Sequence, residues 1–275
     1  MKQMKHLQRI AASASALGLA ALLLPTVASA QGKDGWQFEA SVYGYLPSIG
    51  GKTVFPGSGS SGDIALSTED VINGLKMVFM GSFEARYGRW GAFADYLYMD
   101  VGGSKSETRK LVIGGVELPA GATANLDLDE KGGVLTLAGI YRTMADPDSV
   151  VDVLFGARSL NVKQTLGWNL NGNIGATPIA RNGSRETKLT NWDAIIGVKG
   201  RVALGAERRW FVPYYADIGA GDSDLTWQAT AGIGYSYKWG DITAAWRYLD
   251  YNMKSGKAIQ DLSLSGPVFA AVFRW

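Results

Sequence analysis

The stretch 75–87, "LKMVFMGSFEARY", alternates two kinds of side chain. Leu75, Met77, Phe79, Gly81, Phe83, Ala85 and Tyr87 share one phase, and Lys76, Ser82, Glu84 and Arg86 share the other. A period of two is the mark of a strand whose two faces meet different surroundings. Here one face is apolar and aromatic, and the other is ionic. Whichever face such a strand turns inward, the outward one needs a solvent to match.

The same pattern recurs along the chain. At 36–46, "WQFEASVYGYL", Trp36, Phe38, Ala40 and Val42 alternate with Gln37, Glu39, Ser41 and Tyr43. At 192–202, "WDAIIGVKGRV", Trp192, Ala194, Ile196 and Val198 alternate with Asp193, Lys199 and Arg201. The run 227–239, "WQATAGIGYSYKW", does it again. Between such runs the connections alternate in length. "YGRWG" (87–91), "MADPDS" (144–149), "LGAERRW" (204–210) and "KWGD" (238–241) are tight turns. The segments 47–73, 104–131, 164–188, 220–224 and 254–259 are loops rich in Gly, Asn and Ser, the first three long. Short turns on one side and long loops on the other are the rule of transmembrane β-barrels.

Counting by that rule predicts an all-β fold, a single antiparallel barrel of ten strands, with twelve or eight as alternatives. The strands fall near 35–47, 74–88, 89–102, 132–144, 149–163, 189–203, 209–219, 225–238, 241–253 and 260–275. Each has the roughly 9–11 residues needed to cross a bilayer at a tilt. The segments 52–66 and 104–131 are the weak points, able to extend hairpins or add a pair. Residues 67–75, "STEDVINGL", read as a short helix capped by Ser67, with Asp70 at the position where a capping box prefers Glu or Gln.

The aromatic residues fix the orientation of the faces. The chain has nine Trp. On this map Trp36, Trp90, Trp210, Trp239 and Trp275 collect at the short-turn ends of strands, and Trp192 and Trp227 near the other ends. Indole, apolar with one N–H, suits a membrane interface. A ten-stranded lumen has no room for the apolar phase of every strand, because eight strands already enclose a side-chain-filled interior. The apolar phase therefore faces lipid. The ionic phase faces the lumen with Glu39, Lys76, Glu84, Arg86, Asp95, Arg142, Asp152, Arg158, Asp193, Lys199, Arg201, Asp217, Arg247 and Arg274. Two readings of this set stand side by side. Buried charge must be paired, which makes it a network filling the barrel; alternatively it is a charged constriction that selects solutes.

The first 30 residues predict a secretory signal peptide. Lys2, Lys5 and Arg9 precede the apolar run 11–24, and "ASA" at 28–30 is a cleavage site. The remaining 31–275 is then one barrel domain. The signal takes with it the only histidine, His6, and the chain has no cysteine. That excludes imidazole-based triads and His- or Cys-ligated zinc. Loss of Lys2, Lys5 and Arg9 takes the 27 bases to 24 against 25 acids, with no basic excess for nucleic acid. The acidic clusters Asp127, Asp129, Glu130 and Asp222, Asp224 lack the spacing of a calcium loop and read as solvated carboxylates. No cofactor is expected, and no catalytic or metal residues are assigned.

The stretches "WQFEASVYGYLPSIGG" (36–51), "FEARYGRWGAFADYLYMD" (83–100), "GARSLN" (156–161), "WDAIIGVKGR" (192–201), "AAWRYLDYNM" (244–253) and "GPVFAAVFRW" (266–275) resemble the small porin-like outer-membrane β-barrel proteins of Gram-negative bacteria. The resemblance implies outer-membrane location among lipid and lipopolysaccharide. It also implies delivery by periplasmic chaperones and the barrel-assembly machinery, which reads the terminal aromatics, here Phe273 and Trp275. It names no substrate. Two functions are expected from it and from the faces: a non-enzymatic barrel for passive small-solute passage or envelope structure, or a ligand-binding or adhesion surface carried by the long loops.

Overall fold

The structure, a computed structural model, describes residues 35–54, 61–107, 112–113, 116–117, 123–174 and 177–275. The predicted signal peptide lies outside them. In chain order the elements are β1 (Trp36–Tyr45), β2 (Ser48–Val54), β3 (Ser61–Leu66), α1 (Thr68–Gly74), β4 (Leu75–Tyr87), β5 (Trp90–Glu107), β6 (Val112–Ile113) and β7 (Val116–Glu117). They continue with β8 (Thr123–Ala145), β9 (Ser149–Ile174), β10 (Thr177–Leu204), β11 (Trp210–Gly221), β12 (Ser223–Ser236), β13 (Gly240–Met253) and β14 (Ile259–Arg274).

Ten of these strands form a closed antiparallel barrel in the order β1, β4, β5, β8, β9, β10, β11, β12, β13, β14, and β14 returns to β1. The closing seam pairs Glu39 with Arg274, Val42 with Ala271 and Tyr45 with Val268. Trp275 is held there too: its N–H donates to the Phe38 carbonyl at 3.1 Å, and the Phe38 N–H donates back at 2.9 Å. The faces follow the sequence alternation. Val42, Ile196, Trp246 and Phe269 point outward, each more than half exposed, while Arg158 and Asp193 are fully buried inside. This inversion of an ordinary globular protein is what a sheet closed against lipid requires. No helix among the described residues is long and apolar enough to cross a membrane.

The long segments read as loops differ from that expectation. β5 runs on to Glu107 and β8 starts at Thr123, so much of 104–131 is paired strand. β9 and β10 continue through 164–188, reaching 26 and 28 residues. These extensions rise beyond a spanning length, so no lipid-facing apolar phase marks them. Backbone pairing continues without it.

The first hairpin departs from a simple meander. β2 continues the pairing of β1 along β14, from Ser48 against Ser265 to Thr53 against Ile259. β3 pairs back on β2 alone. On its other flank β1 pairs with β4 only from Trp36 to Val42. Tyr43–Pro47 and Lys76–Met80 therefore face each other without a backbone ladder. The Tyr45 N–H points instead at Met80 Sδ, 3.1 Å away. The short helix sits at this gap and buries Val71, while Val78, on the lumen side of β4, is left 45% exposed.

The helix starts as the sequence suggests. Ser67 Oγ accepts the Asp70 N–H at 3.1 Å, and Asp70 Oδ2 accepts the Ser67 N–H at 3.0 Å. Aspartate thus closes the capping box in place of Glu or Gln. Helix α1 has seven residues, too few to persist alone. Ser67→Ala is expected to lower the stability of this segment by about 1 kcal/mol. Faster proteolysis within 61–75, with the barrel's melting temperature unchanged, is the measurement that checks it.

Candidate functional site

The lumen is the candidate site, and its contents change with height. At the short-turn end the inward residues form a vestibule of about 990 Å³. Its lowest ring joins β14 to both β1 and β13, and β10 across to β13. Arg274 Nε donates to Glu39 at 2.8 Å, and its terminal nitrogen reaches Asp241 at 2.5 Å. Arg201 reaches the same Asp241 at 3.5 Å. Above this, Arg86 donates to Asp152 at 2.8 Å and also to Glu84. Arg142 grips Asp152 through two nitrogens at 2.8 and 2.9 Å, and Lys199 holds the other oxygen of Glu84 at 2.5 Å.

The vestibule ends on two buried clusters. Arg247 donates to Asp95 at 3.0 Å, to Gln228 at 2.8 Å and to the Tyr43 hydroxyl at 3.2 Å; that hydroxyl donates to Asp95 at 2.7 Å. Arg158, with no exposed surface, pairs with Asp217 and approaches the hydroxyls of Thr136 and Thr226, each at 3.4 Å. Higher still, Asp193 accepts the Ser223 N–H at 2.7 Å and Asn191 Nδ2 at 2.8 Å.

Beside and above these clusters the lumen is largely apolar, with Glu130, Gln164 and Thr187 buried along β8, β9 and β10. Leu97, Met99 and Val101 of β5, Val134 of β8, Leu160 and Val162 of β9, Leu249, Tyr251 and Met253 of β13, and Leu262 and Leu264 of β14 form one buried cluster. Val71 of α1 and Ile49 of β2 join it. A void of about 30 Å³ remains among them, lined also by Glu130, Gly132 and Gly133. Among the described residues the vestibule thus gives way, toward the other end, to a packed and mostly apolar lumen.

The eleven charges Glu39, Glu84, Arg86, Asp95, Arg142, Asp152, Arg158, Asp193, Arg201, Asp217 and Arg247 are all placed on the lumen side, as are Lys199 and Arg274. Lys76 is not. A bulge between Leu75 and Met77 turns it outward, where it pairs with Asp129. A one-residue insertion reverses the phase of a strand beyond it, and no residue type in "LKM" marks it. Glu130, read as a solvated carboxylate, is buried on the lumen side of β8 and accepts a hydrogen bond from Gln164 at 3.3 Å. Asp129 keeps an exposed position, and Asp222 accepts the Trp192 N–H at 3.0 Å. Sequence reading missed Asp241 by leaving it in the "KWGD" turn, although it shares the phase of Arg247. It also missed the apolar seal, although Leu249, Tyr251 and Met253 continue that same phase.

The aromatic residues gather outside the short-turn end. Trp36 lies 5.6 Å from Tyr87 and 6.0 Å from Phe38; Trp275 is 5.9 Å from Phe38. Trp90 meets Tyr141 at 4.7 Å, Trp210 meets Tyr235 at 5.0 Å, and Trp239 meets Phe273 at 5.4 Å.

No protein-family model matches the chain, and no curated protein matches it. Among solved structures it is similar to the outer membrane protease OmpT of Escherichia coli, at 10% identity and a TM-score of 0.50, over 88% of this chain and 97% of that one. It also aligns with Ail, the attachment invasion locus protein of Yersinia pestis, in complex with the heparin analogue sucrose octasulfate. That match has 10% identity and a TM-score of 0.33, over 88% and 99% of the two chains. The translocator domain of the autotransporter NalP from Neisseria meningitidis aligns at 13% identity and a TM-score of 0.34, over 98% and 95%. At these identities the likeness to OmpT is one of fold: the chain has the outer-membrane β-barrel fold.

Proposed function

We propose that this outer-membrane barrel is a non-conducting, non-enzymatic envelope protein whose lumen charges are struts. The carrying observation is the apolar seal across the lumen above the vestibule. An ion crossing it would shed its water among mostly apolar side chains, with the buried Glu130, hydrogen bonded to Gln164, as the charged group lining the void. The vestibule carboxylates Glu39, Glu84, Asp95, Asp152 and Asp241 are each engaged by an arginine or lysine. That arrangement suits cohesion better than a free acid–base pair, and the only histidine is His6. In this reading Trp36, Trp90, Trp210, Trp239 and Trp275 anchor the barrel at the periplasmic interface. Phe273 and Trp275 present the aromatic signal read by the barrel-assembly machinery, after periplasmic chaperones deliver the chain.

The test is conductance of the refolded protein in a planar bilayer. The expected trace stays at the current of the bare membrane. Discrete openings in the wild-type protein would overturn this reading and restore the small-solute pore.

A second reading has its own observation. β9 and β10, at 26 and 28 residues, continue well past the bilayer as a paired ribbon. A ribbon held rigid by its backbone ladder favours presentation of a ligand-binding or adhesive surface, and it is compatible with a sealed lumen.

A further inference from the structure

We propose that the outer rim of the barrel binds the phosphorylated headgroups of outer-leaflet lipid through a row of lysines crossing three adjacent strands. The inference does not depend on whether the lumen conducts.

The register carries it. Lys131 of β8 stands directly opposite Lys163 of β9, and Lys163 stands directly opposite Lys188 of β10. All three lie on the outward face, in the phase of Leu137, Phe155 and Ile196, which meet lipid lower down. Like charges directly opposite across a ladder destabilise a sheet. Three in one row are therefore costly unless something negative lies over them. Protein carboxylates supply part of it. Asp100 pairs with Lys131 at 3.2 Å, while Glu186 serves both Lys163 at 2.7 Å and Lys188 at 3.0 Å. Three ammonium groups thus share two carboxylates. The lysine side chains stay between 44% and 70% exposed. Exposed pairs of this kind hold weakly, so a phosphate can displace a carboxylate from them.

Height selects the partner. Four residues down the same strands, the row Tyr96, Leu135, Ser159, Trp192 has an outward aromatic at each end. Asp100, in the lysine row, lies ten residues up β5 from Trp90 of the opposite girdle. Ten residues of a strand tilted by about 40° rise roughly 25 Å, the height of the apolar band in such barrels. The row Tyr98, Gly133, Asn161, Thr190 between them is polar, with Thr190 hydrogen bonded to Asn161 at 3.0 Å. Apolar, aromatic, polar and cationic rows thus succeed one another in the order acyl chain, interface and phosphate. The lysines meet the bilayer where its headgroups lie, on the wall and not in the lumen.

The test uses full-length refolded protein in detergent, with folding checked by the heat-dependent shift on a gel. The probe is diphosphoryl lipid A, with its dephosphorylated form as the comparison. The variants are the triple Lys131→Gln, Lys163→Gln, Lys188→Gln, the single Glu186→Gln, and Lys238→Gln at the opposite end. Each lysine near an anionic lipid surface is worth about fivefold in affinity. The triple variant is expected to bind diphosphoryl lipid A at least about tenfold more weakly, with unchanged binding of the dephosphorylated form. Lys238→Gln is expected to bind as wild type. Glu186→Gln removes the competing carboxylate and is expected to bind more tightly. Unchanged binding by the triple variant would overturn the proposal. So would weaker binding by Glu186→Gln, which would assign the contact to carboxylates through a divalent cation. Displacement of the lipid by an equal concentration of inorganic phosphate would assign the row to a free anion and overturn the lipid source.

Discussion

Arg158→Ala is expected to destabilise the barrel by about 3–5 kcal/mol, the range for removing one partner of a fully buried ion pair. Arg158 and Asp217 have essentially no exposed side-chain surface. The substitution leaves the Asp217 carboxylate in a closed lumen with Thr136 and Thr226 stripped of their common donor. The cost is one of desolvation, so it should be largely repaired when the acid is neutralised as well. The double variant Arg158→Met, Asp217→Leu is therefore expected to recover most of the loss. Unfolding in urea from lipid vesicles, followed by the shift in gel migration, measures all three proteins. A loss no larger for Arg158→Ala than for the exposed Arg208→Ala would show that the pair is not a strut.

The second large effect concerns the seal. Leu249 is fully buried where β13 faces the apolar cluster, and Leu160 is buried in the same cluster from β9. Each Leu→Ala change is expected to cost about 2–5 kcal/mol, the spread reflecting how far neighbours close over the cavity. Made together with Leu97→Ala, the changes also thin the barrier above the vestibule. The triple variant is expected to pass discrete currents in a planar bilayer where the wild type passes none. A destabilised but silent triple variant would mean that Arg158, Arg247 and their partners block the lumen unaided.

Much of this fold is legible because lipid and lumen impose opposite demands on successive residues. "LKMVFMGSFEARY" states both faces, and each of the ten barrel strands covers most or all of the segment the alternation picks out, although β8, β9 and β10 run well past its loop-side end. The inner face is less legible along its length. On β5 the lumen phase runs Phe93, Asp95, Leu97, Met99, Val101, and on β13 it runs Arg247, Leu249, Tyr251, Met253. Alternation assigns these residues to one side. It does not say that the lumen itself changes from wet and ionic to dry. That change appears only when register brings the apolar ends of several strands to the same height. Lys76 and Glu130 fail for two further reasons. A bulge redirects the first, and the strand that buries the second continues past the point where lipid stops shaping the sequence. The lysine row was invisible for a related reason, because Lys131, Lys163 and Lys188 are distant in the chain and become neighbours only through the ladders.

The gap between Tyr43–Pro47 and Lys76–Met80 alters what closure means for this barrel. Elsewhere, parting two strands means breaking backbone hydrogen bonds in a medium that offers no substitutes. Along these few residues the wall is joined by a sulfur contact and by the side chains of one short helix. The closed sheet thus keeps one short stretch without a ladder, next to the start of α1, where Thr68 Oγ1 donates to the Leu46 carbonyl at 3.5 Å. The barrel is closed, yet over this stretch its wall is held by side chains and not by a backbone ladder.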